Sequence, residues 1–315
     1  MYSRPLTMEV VDVAEPSPAL GEVLVRVETV GICGSELEGV ASQSPLRVPP
    51  LIMGHEFVGR RCDTNQRVSV NPMVSCLECD LCLRGKGHLC RRRSIIGIGR
   101  AGGYGELVSV PERNCFPIPE HVDFRQAAMV EPLANAIHAW SLAIEGAGLP
   151  SRVGIIGAGA LGYLCALVAR DSGAGQVTVS DPHPARCAQT AELGVHATIE
   201  PLANEFDVII DAVGSAVTRR SSVELLSPGG TAVWMGLHGQ DSGVDGNALI
   251  RHEKRVLGTF CYTVDNFRTA TSWCSRIPVD APIVAPLASG AEIFTALMRA
   301  PGARVKTLLT FDRDL

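Results

Sequence analysis

The alternation of strand-like and helix-like runs between residues 152 and 237 restricts the fold of this chain more than any other sequence feature. Four apolar runs read as strands: RVGIIGAGALG (152–162), VTVSD (177–181), FDVIIDAVG (206–214) and TAVWMGL (231–237). Two runs between them have helical spacing: ALGYLCALVARDSG (160–173) and PARCAQTAELG (184–194). Strands that alternate with helices predict an α/β fold with a doubly wound parallel sheet.

The first of these strands runs into a glycine motif of the form GxGxxG. Its first glycine permits a tight turn, its second lets the backbone approach a pyrophosphate, and its third lets helix and strand pack closely. The phosphate then lies at the helix N-terminus, where free N–H groups favour an anion. The motif predicts a dinucleotide site at Gly157, Gly159, Ala160, Leu161 and Gly162. The alternative is a glycine-rich turn that binds no ligand.

An acidic residue follows the second strand, as a dinucleotide site requires. Asp181 stands 19 residues after Gly162, where a carboxylate accepts hydrogen bonds from the ribose hydroxyls of NAD and repels the 2′-phosphate of NADP. The alternative role for Asp181 is a helix N-cap before Pro182. Arg186 either contacts the adenosine ribose or forms a surface salt bridge, and Val213 and Gly214 complete the predicted cofactor site.

The regions before and after this sheet differ from it in their hydrophobic pattern and in their glycine and proline content. Short period-two runs broken by glycine and proline, such as GEVLVRVETVG (21–31), predict an irregular, mostly β domain. After about residue 258 we expect a helix over 265–276, a helix over 289–300 and a last strand over 305–311. The sequence predicts two domains: a β-rich domain of residues 1–135 and 262–315, which includes a loop at 72–95, and a nucleotide-binding domain of residues 136–261.

Four cysteines crowd that loop, which reads CLECDLCLRGKGHLC over residues 76–90. The spacing C-x2-C-x2-C-x7-C supplies Cys76, Cys79, Cys82 and Cys90 as soft ligands of the kind that tetrahedral zinc binds. An iron–sulfur loop is the main alternative, but its fourth cysteine is usually close and followed by proline, whereas Arg91 follows Cys90. Disulfides are the second alternative. Four protein ligands leave no open position, so the predicted zinc is structural.

Composition excludes several classes of protein. The net charge is −5 and the only basic cluster is Arg91–Arg93, so nucleic acid is not an expected partner. No apolar run approaches the ~18 residues of a membrane span, and the first residues lack the apolar core of a secretory signal. The cysteine count, 11, is odd, and together with the missing secretory signal it favours a reducing cytoplasm. Disulfides are rare there, so clustered thiols favour metal binding.

A second set of metal-competent side chains is dispersed along the chain. Cys33 lies in the glycine-rich turn GICGSE, and His55 precedes Glu56 in MGHEFVG. Glu131 lies in the apolar run VEPLANAIHAW, where a carboxylate needs a partner. A metal ion would be such a partner, although a lone cysteine or histidine is usually structural.

Taken together, the motifs resemble the zinc-dependent medium-chain dehydrogenase/reductase family, which includes alcohol, sorbitol and threonine dehydrogenases. The stretches that carry the resemblance cover nearly the whole chain: GEVLVRVETVGICGSE, GHEFVG, the cysteine loop, GGYGELVSVP, EPLANAIHA, GAGALG and DAVG. EPLANAIHA is similar to the polyol and threonine dehydrogenase branch, since simple alcohol dehydrogenases usually carry cysteine where Glu131 stands.

The resemblance implies a GroES-like catalytic domain, a Rossmann domain and two zinc ions per chain. Cys33 and His55 would bind the catalytic zinc with Glu56 or Glu131, and the four-cysteine loop would hold the structural zinc. Ser35 would hydrogen-bond the zinc-bound oxygen. Relatives often read GICGSD-x-H, with a histidine that relays the proton; here Glu38 takes that position and either replaces the relay or is a solvated surface acid.

The implied reaction is hydride transfer between NAD(H) and a secondary alcohol: a polyol, sugar or amino polyol. The implied assembly is a homodimer or homotetramer. Two alternatives stay open at this point. One is an NAD(P)H-dependent reductase of a carbonyl or activated alkene, and the other is an NAD-binding structural or sensing protein without turnover.

Overall fold

The computed structural model describes residues 1–146, 148–237, 243–300, 302 and 304–311. Contacts divide the chain into two compact units. The first contains Met1–Glu131, Thr263–Gly302 and the last strand, and the second contains Pro132–Tyr262. The predicted domain boundaries stay a prediction, and the predicted end at residue 315 lies outside the described residues. No helix of the described residues is long and apolar enough to cross a membrane.

The strands of the described residues are β1 Tyr2–Arg4, β2 Thr7–Met8, β3 Glu22–Ile32, β4 Glu56–Arg61, β5 Arg67–Val70, β6 Met73–Val74, β7 Ser94–Ile95, β8 Leu107–Pro111, β9 Cys115–Pro117, β10 Arg152–Ile156, β11 Gln176–Ser180, β12 His196–Thr198, β13 Phe206–Asp211, β14 Leu226–Trp234, β15 Arg255–Gly258, β16 Ile283–Pro286 and β17 Thr307–Thr310. The α-helices are α1 Gly34–Ala41, α2 Asp80–Leu83, α3 Phe124–Ala127, α4 Val130–Ile144, α5 Ala160–Asp171, α6 Pro184–Ala191, α7 Ala216–Glu224, α8 Gly246–Arg251, α9 Val264–Trp273 and α10 Gly290–Arg299.

The second unit is built around a six-stranded parallel sheet in the order β12-β11-β10-β13-β14-β15. Its central strands are almost wholly buried, as expected of strands with helices on both faces. The register pairs Ile156 with Ser180 on one side and with Asp211 on the other, so the carboxyl ends of β10, β11 and β13 lie level. The parallel α/β sheet predicted from the alternating runs is confirmed.

Two glycines explain the tight turn after β10. Gly157 has φ +96°, a backbone conformation that L side chains rarely adopt. At Gly162 a Cβ atom would strike the carbonyl oxygen of Gly157, so only glycine allows helix α5 to pack this closely on the turn. The sequence therefore fixes the close approach that a dinucleotide-binding turn needs.

The first unit has an irregular seven-stranded sheet in the order β16-β17-β3-β4-β5-β9, with β8 paired to β3. Val25 and Val27 of β3, with Arg26 exposed between them, enter a hydrophobic core that also contains Phe57. The register shifts after Val27, and the strand is buried on both faces from Thr29 to its end, so the period-two alternation that predicted this strand holds only in its first half. The β-rich character expected of this part of the chain is confirmed.

The cysteine loop leaves this unit between two very short strands. β6 pairs antiparallel with β7, with Met73 opposite Ile95, so the two ends of the loop are held together. Inside it, short helix α2 begins after Cys79, and Leu77 takes the left-handed conformation with φ +66°. The loop has few apolar residues to bury, so its shape depends on what its cysteines bind.

Candidate metal and dinucleotide sites

Sheet register in the first unit brings three distant segments to one place. Antiparallel pairing of β3 with β4 sets Gly31 opposite Glu56, and pairing of β3 with β17 sets Ile32 opposite Thr307. Cys33 follows directly after β3, while His55 and Lys306 directly precede β4 and β17. The end of β3 is therefore flanked by His55 and Glu56 on one side and by Lys306 on the other.

Three of the predicted metal ligands meet at this point. One donor atom from each of Cys33, His55 and Glu56 lies within 4.8 Å of the others. His55 and Glu56 are buried, and Cys33 is half-buried. Glu131, at the start of α4, is also buried but is not part of this group. The structure thus brings together three of the four side chains that the sequence offered.

Glu36 contacts His55 of this three-residue group, although the sequence motifs gave Glu36 no role. Its carboxylate is fully buried and lies 3.1 Å from Nδ1 of His55. It also accepts hydrogen bonds from Tyr104 Oη at 2.5 Å and from the backbone N–H of Gly54 at 2.8 Å. A carboxylate on one ring nitrogen orients the imidazole and leaves Nε2 to face a metal ion.

Lys306 is the second residue that sequence reasoning missed. Its ammonium lies 2.7 Å from Oε1 and 2.5 Å from Oε2 of Glu56, and both side chains are almost fully buried. A buried carboxylate next to the Cys33 sulfur requires such a countercharge. The lysine follows from no motif, because it reaches the site only through the pairing of β17 with β3.

Ser35 lies on the accessible side of the group. Its hydroxyl donates to Cys33 Sγ at 3.3 Å and accepts from Nη2 of Arg47 at 3.2 Å. Glu38, one turn further along α1, is exposed. Its service as a proton relay stays a prediction.

The electrostatics of the group favour a bound cation. Burial alone would raise the pKa of Glu36, but His55, Tyr104 and the Gly54 N–H lower it to about 2. Burial lowers the pKa of His55, and the opposing effects of Glu36 and Cys33 raise it well above its ordinary value. Burial likewise lowers the pKa of Lys306, which Glu56, Cys33 and Glu131 raise overall. The surrounding negative charge thus favours positive charge at this point, and sulfur, imidazole and carboxylate donors suit zinc.

The four loop cysteines form a compact cluster of free thiols. Cys76 Sγ lies 3.8 Å from Cys82 and 3.4 Å from Cys90, and Cys79 Sγ lies 3.5 Å from Cys82 and 3.8 Å from Cys90. Four sulfurs about 2.3 Å from one ion would be about 3.8 Å apart. The backbone N–H of Glu78 lowers the pKa of Cys76 to about 6, which favours its thiolate, whereas burial raises the pKa of Cys82 to about 11. The cluster fits a single tetrahedral zinc.

The predicted cofactor residues lie along the carboxyl edge of the parallel sheet. Gly159 is the N-cap of α5, and Ala160 and Leu161 begin that helix. Val213 and Gly214 donate their N–H groups to Asp211 Oδ1 at 3.0 and 2.9 Å, which fixes the turn after β13. The sequence did not single out Asp211, a buried acid at the end of a strand.

Backbone N–H groups position Asp181 at the carboxyl edge of the parallel sheet. Its carboxylate accepts from the N–H of Ala158 and of His183, each at 2.8 Å, and Nη1 of Arg186 lies 3.8 Å away. The N-cap of α6 is His183, so Asp181 is not the cap itself. The acid is positioned beside the glycine turn, and its contact with a ribose stays a prediction.

Family models match both units of the chain. Residues 19–120 match the alcohol dehydrogenase GroES-like domain, and residues 160–276 match the zinc-binding dehydrogenase domain. L-galactonate-5-dehydrogenase of Escherichia coli K12 is 30% identical over 274 residues, 80% of this chain and 79% of the relative. This chain belongs to the zinc-dependent medium-chain dehydrogenase/reductase family. It is an oxidoreductase of the alcohol dehydrogenase class, as the sequence motifs predicted.

Further relatives agree with this assignment. L-threonine 3-dehydrogenase of Mesorhizobium japonicum is 32% identical over 279 residues, 80% of each chain. An alcohol dehydrogenase of E. coli CFT073, solved with NADH, has a TM-score of 0.89 at 26% identity and covers 98% of this chain and 97% of its own. A zinc-binding dehydrogenase of Sinorhizobium meliloti 1021, solved with NADP, has a TM-score of 0.86 at 30% identity and covers 95% and 94%.

Proposed function

We propose that this enzyme interconverts a secondary alcohol of the polyol, sugar or amino polyol type and its ketone, with zinc and NAD(H) as cofactors. The observation that carries the proposal is the meeting of the Cys33, His55 and Glu56 donor atoms within 4.8 Å. The relatives named for L-galactonate and L-threonine support the substrate class, since both compounds carry secondary hydroxyls.

In this proposal Cys33 and His55 hold the catalytic zinc, and Glu56 or Glu131 is the third protein donor. Bound zinc acts as a Lewis acid that makes the substrate hydroxyl more acidic. Glu36 would keep His55 in the tautomer that presents Nε2, and Lys306 would offset the charge of the Glu56 carboxylate. Ser35 would hydrogen-bond the substrate oxygen and pass on its proton.

The second unit would supply the hydride acceptor. Free N–H groups at the start of α5 would bind the pyrophosphate of NAD, with Gly157, Gly159 and Gly162 allowing its close approach. Asp181 would accept hydrogen bonds from the adenosine ribose, and Arg186, Val213 and Gly214 would complete the site. Since one similar structure holds NADH and another NADP, the preference for NAD depends on Asp181.

The four cysteines of the loop would hold a structural zinc, because a closed set of thiolates leaves no position for substrate. We further propose a cytoplasmic enzyme that assembles as a homodimer or homotetramer. β15 lies at an edge of the parallel sheet and is the strand through which such an assembly would extend it.

The test is metal analysis combined with a cofactor-linked assay. Purified enzyme should contain about two zinc ions per chain and reduce NAD with at least one member of a panel of polyols, sugar acids and amino alcohols. A protein that oxidises NADH with ketones or activated alkenes but reduces no NAD with any alcohol would instead be the reductase. NAD binding without turnover in either direction, in zinc-replete protein, would contradict the proposal.

A further inference from the structure

Arg47 is a buried charge that has no countercharge among the described residues. The residue is 6% exposed, and its Nε is buried without a hydrogen-bond partner from those residues. In the described part of the chain its side chain makes one hydrogen bond, from Nη2 to the Ser35 hydroxyl at 3.2 Å. Within the part of the chain that the structure describes, the guanidinium forms no ion pair. Burying an unpaired charge is unfavourable, and a bound anion beside the guanidinium would offset that cost.

The position of this guanidinium is defined from two sides. Ser35 Oγ, which accepts from Nη2, also donates to Cys33 Sγ at 3.3 Å, so the guanidinium stands two hydrogen bonds from the sulfur. On the other side Gly39 of α1 leaves the space that the guanidinium fills. A Cβ atom at Gly39 would come within 2.8 Å of Nη1 and 3.0 Å of Cδ.

We propose that Arg47 determines substrate specificity by binding an anionic oxygen group, a carboxylate or a phosphate, on the substrate. The inference rests on the proposed function, because it places the reacting hydroxyl beside Cys33 and Ser35. Arginine stays protonated and presents a rigid fork of donors that matches both oxyanions. For the same reason it cannot relay the hydroxyl proton. The preferred substrates are therefore hydroxy acids or polyol phosphates, and neutral polyols are poor ones.

The experiment compares kcat/KM for gluconate, sorbitol 6-phosphate and sorbitol in the zinc-loaded enzyme with NAD. Wild type should prefer at least one anion over sorbitol, and the better anion identifies the oxygen group. Arg47→Met should lower kcat/KM for that anion by about 10- to 100-fold more than kcat/KM for sorbitol, the range of a hydrogen bond to a charged group. Arg268→Met, which removes an exposed arginine of the same unit, is the control and should change neither.

Gly39→Ala offers a second variant in case Arg47→Met does not fold. It keeps the charge and improves helix propensity, but its methyl group displaces the guanidinium. We expect the same selective loss for the anion. Equal losses for all three compounds would mean that Arg47 only positions Ser35, and this would overturn the inference, as would a wild type without preference for either anion.

Binding without turnover separates this inference from the proposed function. Calorimetry of gluconate and of sorbitol 6-phosphate with the wild type should detect binding of at least one, which Arg47→Met loses and Arg268→Met keeps. If no alcohol is oxidised but this pattern holds, the anion site stands and the proposed function fails. If alcohols are oxidised but neither anion binds, or Arg47→Met binds them equally well, only the inference fails.

Discussion

The two candidate metal centres of this chain are built in opposite ways. The four-cysteine cluster comes from one loop of residues 76–90 and contains only sulfur ligands. The Cys33 group joins the end of β3 to the start of β4, and Glu36, Tyr104 and Lys306 surround it. The first needs only local spacing, whereas the second needs the sheet and a set of buried charges. The loop has few apolar residues to bury, so its stability should depend on a bound metal, whereas the mixed group is positioned by the sheet around it.

The largest expected effect is on catalysis, from Cys33→Ser. Loss of the thiolate removes several kcal/mol of charge stabilisation, which corresponds to ~10³-fold or more in kcat. The zinc content should fall from about two to about one per chain, because the loop cluster keeps its ion. Kinetics and metal analysis measure both effects, and Cys62→Ser, at an exposed cysteine, is the control. Wild-type activity in Cys33→Ser would show that the mixed group is not the active site.

Cys79→Ser tests the four-cysteine loop, the other candidate metal centre. Metal-ligand energy in such a loop is folding energy, so its loss should lower the unfolding free energy by more than ~3 kcal/mol and speed hydrogen exchange in residues 76–90. Activity per folded molecule should change much less than stability. A variant of full stability without activity would reverse the roles given to the two centres.

Lys306→Met leaves the Glu56 carboxylate buried without its countercharge. The expected destabilisation is about 3–5 kcal/mol, the usual cost of breaking a buried ion pair from one side. Chemical denaturation measures it, with Lys254→Met as a control at a less buried lysine that donates to backbone carbonyls. Adding Glu56→Gln should recover part of the loss, and no recovery would contradict the role of Lys306 as a countercharge.

Glu36→Gln tests a second buried charge next to the mixed group, and its expected effect is smaller. The amide removes the negative charge beside His55 and should weaken zinc binding by about 10- to 100-fold, as changes to the partners of metal ligands usually do. Competition with a chelator measures the affinity of the zinc that Cys33 and His55 would bind. The cysteine loop offers the internal control, since its ion should be released at the wild-type chelator concentration.

The smallest effect is expected far from both centres, at the N-cap of α3. Asp123 accepts from the N–H of Arg125 at 2.8 Å, and Asp123→Ala should cost about 1 kcal/mol at neutral pH. The hydrogen bond from the Arg125 side chain lowers the pKa of Asp123. Its contribution is therefore complete above the unfolded pKa of about 3.9 and is lost as the pH falls through the lower folded value. Wild type and variant should converge in acid, and a constant difference would contradict the charge effect.

Much of this molecule was predictable because its signals are local. Alternating runs gave the parallel sheet, GAGALG gave the glycine turn, and cysteine spacing gave the cluster, since each depends on neighbours within one segment. The pairing of Cys33 with His55 and Glu56 followed from the family resemblance rather than from spacing. Two missed residues had a local signal: Glu36 lies three residues after Cys33 in the same turn, and Asp211 opens the DAVG stretch that contains Val213 and Gly214.

Tertiary structure alone decided which charges surround the mixed group. Lys306 lies 250 residues from Glu56 and meets it only because β17 and β4 both pair with β3. Tyr104 lies in the family stretch GGYGELVSVP and Arg47 in no motif, but no short pattern brings either side chain to this group, and their burial depends on packing. The sequence by itself determined the fold class, the glycine turn and the sulfur cluster, because periodicity and spacing act within a segment. Sheet register placed Lys306 beside Glu56, and loop packing placed Tyr104 and Arg47, because both join residues that no short pattern brings together.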